Sequence, residues 1–339
     1  MNSGLIRKII HHEHPMMNYG ILERMKHAAF VCLLSLGVLL SLQPPVHASE
    51  GGSSYFFPGA FASFAVAIPP DPGFQYVNQT LYYHAEVDKA PLVGLVMSLE
   101  ATAVYNYFGG SYSFDGSVLG GRLQLFAAIP VGYVDTEAGV RMDIPDYFTL
   151  SRDEDDKAFD VGDSVLSGAL AWKAGDFSLK ITQMVFVPTG AYSTGDLANV
   201  GRNYWGFDSS CAATWLSSKT GTEISVMPGI LFNTENNATD YKTGNEFHVD
   251  FMVNQFLSKS FALGAQGYWY KQVTGDSGDG KPDFLGDFKG ESYGFGPALL
   301  WMPACGDGKL SVIGKWLFDS HRENRMKGDY GQLMLCKKF

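Results

Sequence analysis

The sequence predicts an all-β protein: a transmembrane antiparallel β-barrel of about twelve strands, of the bacterial outer-membrane type. Three observations carry this. Long segments alternate apolar and polar residues with period 2, the connections between them alternate between short and long, and the two chain ends carry matching signatures of export and closure.

At the N-terminus, Arg24 and Lys26 precede an apolar run from Ala28 to Leu42. That run falls short of the roughly 20 residues a spanning helix needs. Pro44 and Pro45 break it, and Val46-His47-Ala48 places small residues where a signal peptidase reads. Residues 1–48 are therefore expected to be a signal peptide cleaved after Ala48, with Met25 as an alternative start. Cys32 lies within the apolar run behind Val31, so it is not a lipoprotein acceptor. Residues 49–73 read as a lead-in or plug, and 74–339 as the barrel. At the other end, DYGQLMLCKKF alternates to a terminal aromatic, Phe339. A last strand of this kind must pair with the first, because an open sheet edge in lipid leaves backbone groups unsatisfied.

Composition narrows the function classes. The chain holds 25 basic and 35 acidic residues. Removing Arg7, Lys8, Arg24, Lys26, Glu13 and Glu23 with the signal leaves 21 against 33, a net charge of −12. No basic face for nucleic acid is expected from this balance. Aromatics at 14%, 39 glycines and only 18% charged residues suit a β-rich chain with tight turns and interfacial girdles. Beyond the signal no apolar run reaches eighteen residues, so no spanning helix is predicted. Cys211, Cys305 and Cys336 are odd in number and spaced like no metal framework, which leaves their pairing open.

The strands are placed near 74–87, 92–108, 118–133, 159–172, 176–188, 202–217, 221–233, 242–258, 261–274, 288–302, 309–318 and 329–339. The eighth is clearest: Phe247, Val249, Phe251, Val253 and Leu257 oppose His248, Asp250 and Asn254. One greasy and one polar face suits lipid outside and water inside. Phe177, Leu179, Ile181, Val185 and Val187 oppose Ser178, Lys180 and Thr182. Leu123, Leu125, Ala127, Ile129 and Val131 oppose Arg122 and Gln124. Leu95 to Tyr105 on the odd positions oppose Ser98, Glu100, Thr102 and Asn106. KAGD, SSKTG, SKS and PACGDG are short connections. RMDIPDYFTLSRDEDDK, PTGAYSTGDLANVG, NTENNATDYKTG, TGDSGDGKPDFLGDFKG and DSHRENRMKG are long and polar. This is the periplasmic/extracellular asymmetry of outer-membrane barrels. VDKA and GGSYSFDG break it, the first too short and the second too long for its side.

Parity nominates Glu100, Arg122, Lys180, Glu223, His248, Asp250, Asn254 and Lys315 as lumen-lining. Their mixed signs fit a charged constriction or a salt-bridged, closed interior. The apolar stretch from Tyr55 to Ile68 carries Phe56, Phe57, Phe61 and Phe64. With the outer wall already covered by lipid, this aromatic surface is expected at the lumen mouth as a gate. No catalytic set is apparent: His248 and Asp250 share a face, but no Ser is visibly placed to complete a triad. Asp276, Asp279, Asp283 and Asp287 lack the spacing of an EF-hand and read as solvated loop acids, with divalent-cation bridging to lipopolysaccharide as the alternative. No cofactor motif occurs: the Gly-rich pieces lack a strand–GxGxxG–helix context.

GSSYFFPGAFASFAVAIPPDPGFQYVNQTLYY, FVPTGAY, VGRNYW, ILFNTENNATDYKTGNEFH, LGAQGYWYKQVTGDSG, FGPALLW and the closing strand, in that order, resemble the family called the putative MetA-pathway of phenol degradation. The resemblance covers essentially the whole mature chain. It implies an outer-membrane location in a Gram-negative bacterium and passage of small, often aromatic or hydrophobic, compounds. Lys337 departs from it, standing where the outward face of the closing strand is usually apolar. The expected partners are outer-membrane lipid and lipopolysaccharide, the barrel-assembly machinery and a small solute. Three classes follow: a passive channel, a structural or surface-interaction barrel with a closed interior, and an outer-membrane enzyme.

Overall fold

The first and last strands find each other. In the computed structural model, which describes residues 54–92, 95–144, 148–281, 289–303 and 310–339, β1 (Gly73–Leu92) pairs antiparallel with β13 (Lys327–Lys338) from Gln75↔Lys338 to Glu86↔Lys327. Between them lie β2 (Leu95–Val118), β3 (Gly121–Ile144), β4 (Phe148–Val161), β5 (Ser164–Ala174), β6 (Phe177–Val187), β7 (Gly206–Leu216), β8 (Thr222–Asn233), β9 (Glu246–Ser258), β10 (Phe261–Gln272), β11 (Glu291–Trp301) and β12 (Leu310–Glu323). Successive strands pair antiparallel, and the β2–β3 ladder completes a closed ring of twelve that omits β4. The expected signal peptide, the Met25 start, the Ala48 cleavage point, Asp283, Asp287 and Cys305 lie outside the described residues.

The outer wall is apolar and the inner wall mixed, the inverse of a soluble sandwich. Leu125, Ile129, Ile181, Phe251, Val253, Phe295, Trp301 and Leu333 are exposed on the outside, while Glu223, His248, Asp250, Asn254 and Gln266 are buried inside. Lys337 is on the outward parity of β13, with Leu333 and Leu335. Closure satisfies every ring edge, which lipid requires.

The strand additional to the sequence reading is β4. RMDIPDYFTLSRDEDDK was expected as a loop, yet Phe148–Val161 pairs with the upper half of β3, Val131 to Ile144. The lower half of β3, Arg122 to Ala128, pairs with β5. The exchange of partners falls at Pro130, whose carbonyl accepts from Gly162 N at 2.9 Å. Proline has no N–H to leave unpaired at that seam. The free edge of β4 carries Arg152, Asp153, Glu154, Asp155, Asp156 and Lys157, charges that discourage edge-to-edge pairing.

Both irregular connections are explained by strand length. β2 and β3 have 24 residues each, where about 9–11 tilted residues cross a bilayer. VDKA is therefore part of β1 in a hairpin that projects beyond the membrane, and GGSYSFDG is part of β2. The true β2–β3 turn is Leu119–Gly120, with φ of 50° and 78°. Two positive φ values are what a tight hairpin turn needs, and glycine adopts one without steric cost. DSHRENRMKG is likewise mostly strand, since only residues 324–326 separate β12 from β13.

Candidate functional site

The segment from Ser54 to Asp71 enters the ring and has no ladder of its own. Its internal backbone bonds include the turns Ala60 N to Phe57 O and Ile68 N to Ala65 O, both 3.0 Å. A buried irregular segment leaves backbone polar groups to be satisfied by something else. The lumen supplies the partners. Lys315 Nζ donates to the carbonyls of Gly59 and Ala62, with Gln266 Oε1 at 3.5 Å. Ala65 N donates to Glu223 Oε1 at 2.8 Å, and Ala67 N to Thr214 Oγ1 at 3.2 Å. Gln79 Nε2 donates to Ala60 O at 2.8 Å. Gly59 has φ +69°, and a Cβ there would meet Leu317 at 2.8 Å, so glycine is what lets its carbonyl reach Lys315.

Aromatic contacts set the height of the segment. The Tyr55 ring stacks on Phe186 at 4.5 Å, and Phe56 stacks on His248 at 4.4 Å and on Tyr270 at 5.6 Å. Phe57 meets Tyr83 and Tyr330 edge-on at 5.8 and 6.0 Å. Phe61 approaches Phe186 and Phe64 approaches Phe256. The Tyr55 hydroxyl lies 2.7 Å from both Asp163 Oδ2 and Tyr204 O. Burial, and then the neighbouring Asp163 carboxylate, pushes this phenol well above its usual range, so it remains a neutral donor. Asp163 also accepts from Gly190 N and Arg202 N, tying the segment to the β6–β7 loop.

The lumen-lining residues nominated from parity divide into three groups. Glu223, His248, Asp250, Asn254 and Lys315 are buried around the segment. Asn254 Nδ2 donates to Glu223 Oε2 at 3.1 Å. His248 Nε2 lies 2.7 Å from Asp208 Oδ2, a partner that sequence reading missed although Asp208 shares the inward parity of Ser210, Ala212 and Thr214. Arg122 and Lys180 share the inward parity nearer the short-turn end; Lys180 lines a lower cavity of about 430 Å³, and Arg122 Nη1 donates to Phe114 O at 3.1 Å. Glu100 is a correction. It is exposed, on the same outward face as Phe108, Tyr112 and Phe114, while the odd positions Leu99, Ala101, Ala103 and Tyr105 point inward. In this protruding part of β2 the outer face meets water, so polarity no longer marks the lumen.

The segment separates two spaces. Below it lies the 430 Å³ cavity, reached by Phe61, Phe64, Gln124, Phe126 and Met334. Above it lies a cavity of about 120 Å³ walled by Phe56, Phe57, Tyr83, Tyr105 and Tyr330, with Arg202 and Arg325. Sequence reasoning missed Arg325 because it sits in a three-residue turn with no periodicity to reveal it.

Other expectations fall at the margins. Asp276 is buried, not solvated: it accepts from Tyr241 Oη at 2.5 Å and from Gly244 N at 2.8 Å, bracing one loop on another. Asp279 is exposed. No cluster of three or more His, Cys, Asp or Glu fit for a metal occurs among the described residues. Cys211 and Cys336 are free thiols, the first exposed and the second buried. Phe339 N donates to Phe74 O at 2.9 Å, their rings are 6.0 Å apart, and Lys338 pairs with Asp71 at 3.3 Å.

With this geometry in view, the comparisons with known proteins are direct. The family described as "Putative MetA-pathway of phenol degradation" matches residues 89–335. The chain belongs to this family. Among solved structures it is similar to the COG4313 outer membrane channel from Pseudomonas putida F1, at 16% identity and a TM-score of 0.58, covering 84% of this chain and 100% of that one. A Pseudomonas aeruginosa FadL homologue matches at 8% identity and a TM-score of 0.43, covering 86% of this chain and 98% of that one. The CymD monoaromatic hydrocarbon channel matches at 7% identity and a TM-score of 0.38, covering 87% and 97%. A search of curated protein sequences finds no match. Fold and family together make this chain an outer-membrane β-barrel.

Proposed function

We propose that the protein is a passive outer-membrane channel for small hydrophobic or aromatic solutes, with Phe56, Phe57, Phe61 and Phe64 as its gate. The observation that carries this is a lumen split by an aromatic-bearing segment into two cavities, the upper one walled chiefly by rings and apolar side chains. Such a lining excludes hydrated ions by desolvation and accepts apolar solutes. A non-enzymatic role is supported at the His–carboxylate pair found in the lumen among the described residues. His248 Nε2 lies against Asp208 Oδ2, its Nδ1 has no partner, and among the described residues no hydroxyl is bonded to it as a nucleophile would be. The bilayer covers the outer band, lipopolysaccharide the loop end, and the assembly machinery reads the strand that ends at Phe339.

A closed structural barrel is the second reading, and the hydrogen bonds that clamp the segment favour it. Planar-bilayer conductance and solute flux into liposomes separate the two. The intact protein is expected to pass toluene-sized solutes at low ion conductance. Removing residues 54–68 should raise ion conductance several-fold and lower selectivity for hydrophobic solutes; Phe56→Ala with Phe57→Ala is the milder variant that leaves the clamp in place. Absence of solute flux from the folded intact protein, with conductance unchanged in both variants, establishes the closed barrel.

A further inference from the structure

The upper cavity has an electrostatic character that a path for neutral solutes does not need. Two guanidinium side chains, Arg202 and Arg325, line it, and none of its lining residues is Asp or Glu. None of the carboxylates near the two guanidiniums is ion-paired to Arg325 among the described residues. Buried Glu246, within electrostatic reach of both, accepts from Asn233 Nδ2 at 3.2 Å through Oε1, and its Oε2 has no hydrogen-bond partner. Asp163 accepts from Tyr55, Gly190 N and Arg202 N. Asp319 accepts from the Tyr268 hydroxyl and Gly328 N. Arg325 makes no ion pair among the described residues, and its buried Nη1 has no hydrogen-bond partner. Its guanidinium carbon lies 3.9 Å from the centroid of Tyr270, a cation–π contact that offsets part of the cost of burial but satisfies no N–H. A buried donor without a partner is expensive, and a buried cation without an anion more so.

The remaining walls are rings. Tyr83 and Tyr330 stack at 5.0 Å, and Phe57 stands edge-on to both. The volume, about 120 Å³, is of the order of one benzene ring, since an apolar cavity of about 150 Å³ holds benzene. A planar guanidinium with an open edge matches a carboxylate, whose two oxygens accept side by side.

Resting on the channel reading of the lumen, we infer that the upper cavity is a binding site for a single-ring aromatic monocarboxylate. The ring lies among Phe57, Tyr83 and Tyr330, and the carboxylate lies on the Arg325 edge, with Arg202 adding to the positive field. The solute is thereby captured before it meets the constriction at Phe56.

The test is calorimetric titration of the purified full-length protein in detergent with sodium benzoate, cyclohexanecarboxylate, phenol and toluene. Benzoate should bind saturably with one site, more tightly than the other three. Arg325→Gln should weaken benzoate at least tenfold while leaving toluene unchanged, and Arg325→Lys should restore part of the loss. Ala103→Phe, which fills the cavity from β2, should weaken benzoate and toluene together. Heat-modifiable migration establishes that each variant is folded. Equal benzoate affinity in the protein and in Arg325→Gln, or toluene binding as tightly as benzoate, overturns the site. Liposome flux distinguishes this failure from that of the channel: benzoate binding without flux of any aromatic retains the site and removes the channel, whereas toluene flux without benzoate binding does the reverse.

Discussion

At the scale of single residues, neighbours on one strand live in different solvents. Ile181 is 47% exposed on the outer wall at the middle of β6, while Thr182 lines the lower cavity. Ile181→Arg places a guanidinium in the hydrocarbon at a cost of about 2–4 kcal/mol, whereas Thr182→Arg places it in a hydrated space. Folding yield into liposomes should fall sharply for the first and little for the second; equal yields contradict the face assignment. The comparison would fail at Asn254, although sequence parity puts it in the lumen as well. Its amide is held between Glu223 and Gln266, and a Cβ on Gly264 would lie 1.8 Å from its Oδ1, so an arginine there has no water to enter. Period-2 alternation gave the direction in which Glu223, His248, Asp250, Asn254 and Lys315 point. It could not give the inner segment they hold, because a lumen side chain's partners are set by elements far away in sequence.

Among the elements, β4 separates the barrel from its superstructure. It pairs only with the part of β3 beyond Pro130, while β3 reaches β5 directly below that point. Replacing residues 134–158 with a short Gly/Ser linker should therefore leave the ring closed. Heat-modifiable migration in the outer membrane should persist, and its loss would show that the projecting hairpin of upper β3 and β4 is needed for closure. The sequence marked β4 as loop because its center is a charge run, RDEDDK, and charge runs ordinarily belong to solvated loops. Here the strand stands in water beside the projecting half of β3, so hydrogen bonding to it along its whole length suffices and no apolar face is required. The same cause misdirected Glu100: outside the bilayer an outward face is wet, and the polar side of an alternating strand ceases to identify the lumen.

For the whole molecule, closure depends on the β1–β13 ladder, which ends with Phe339 N bonded to Phe74 O and the two rings in contact. Deleting Phe339, or placing a charge there, removes that last contact and the aromatic expected to be read during assembly. Outer-membrane insertion should drop, measured as the fraction of heat-modifiable protein, and unchanged insertion would assign closure to the remaining register alone. The sequence by itself determined the barrel, the twelve ring strands and the family, because lipid outside and polar groups inside impose a periodicity that each strand displays locally. Tertiary structure alone decided that Lys315 and Glu223 clamp Gly59, Ala62 and Ala65, that His248 meets Asp208, and that Arg325 faces a ring-walled cavity without an acid. Those contacts join residues as much as 256 positions apart, and a local pattern fixes which way a side chain points but not what the closed ring brings in front of it.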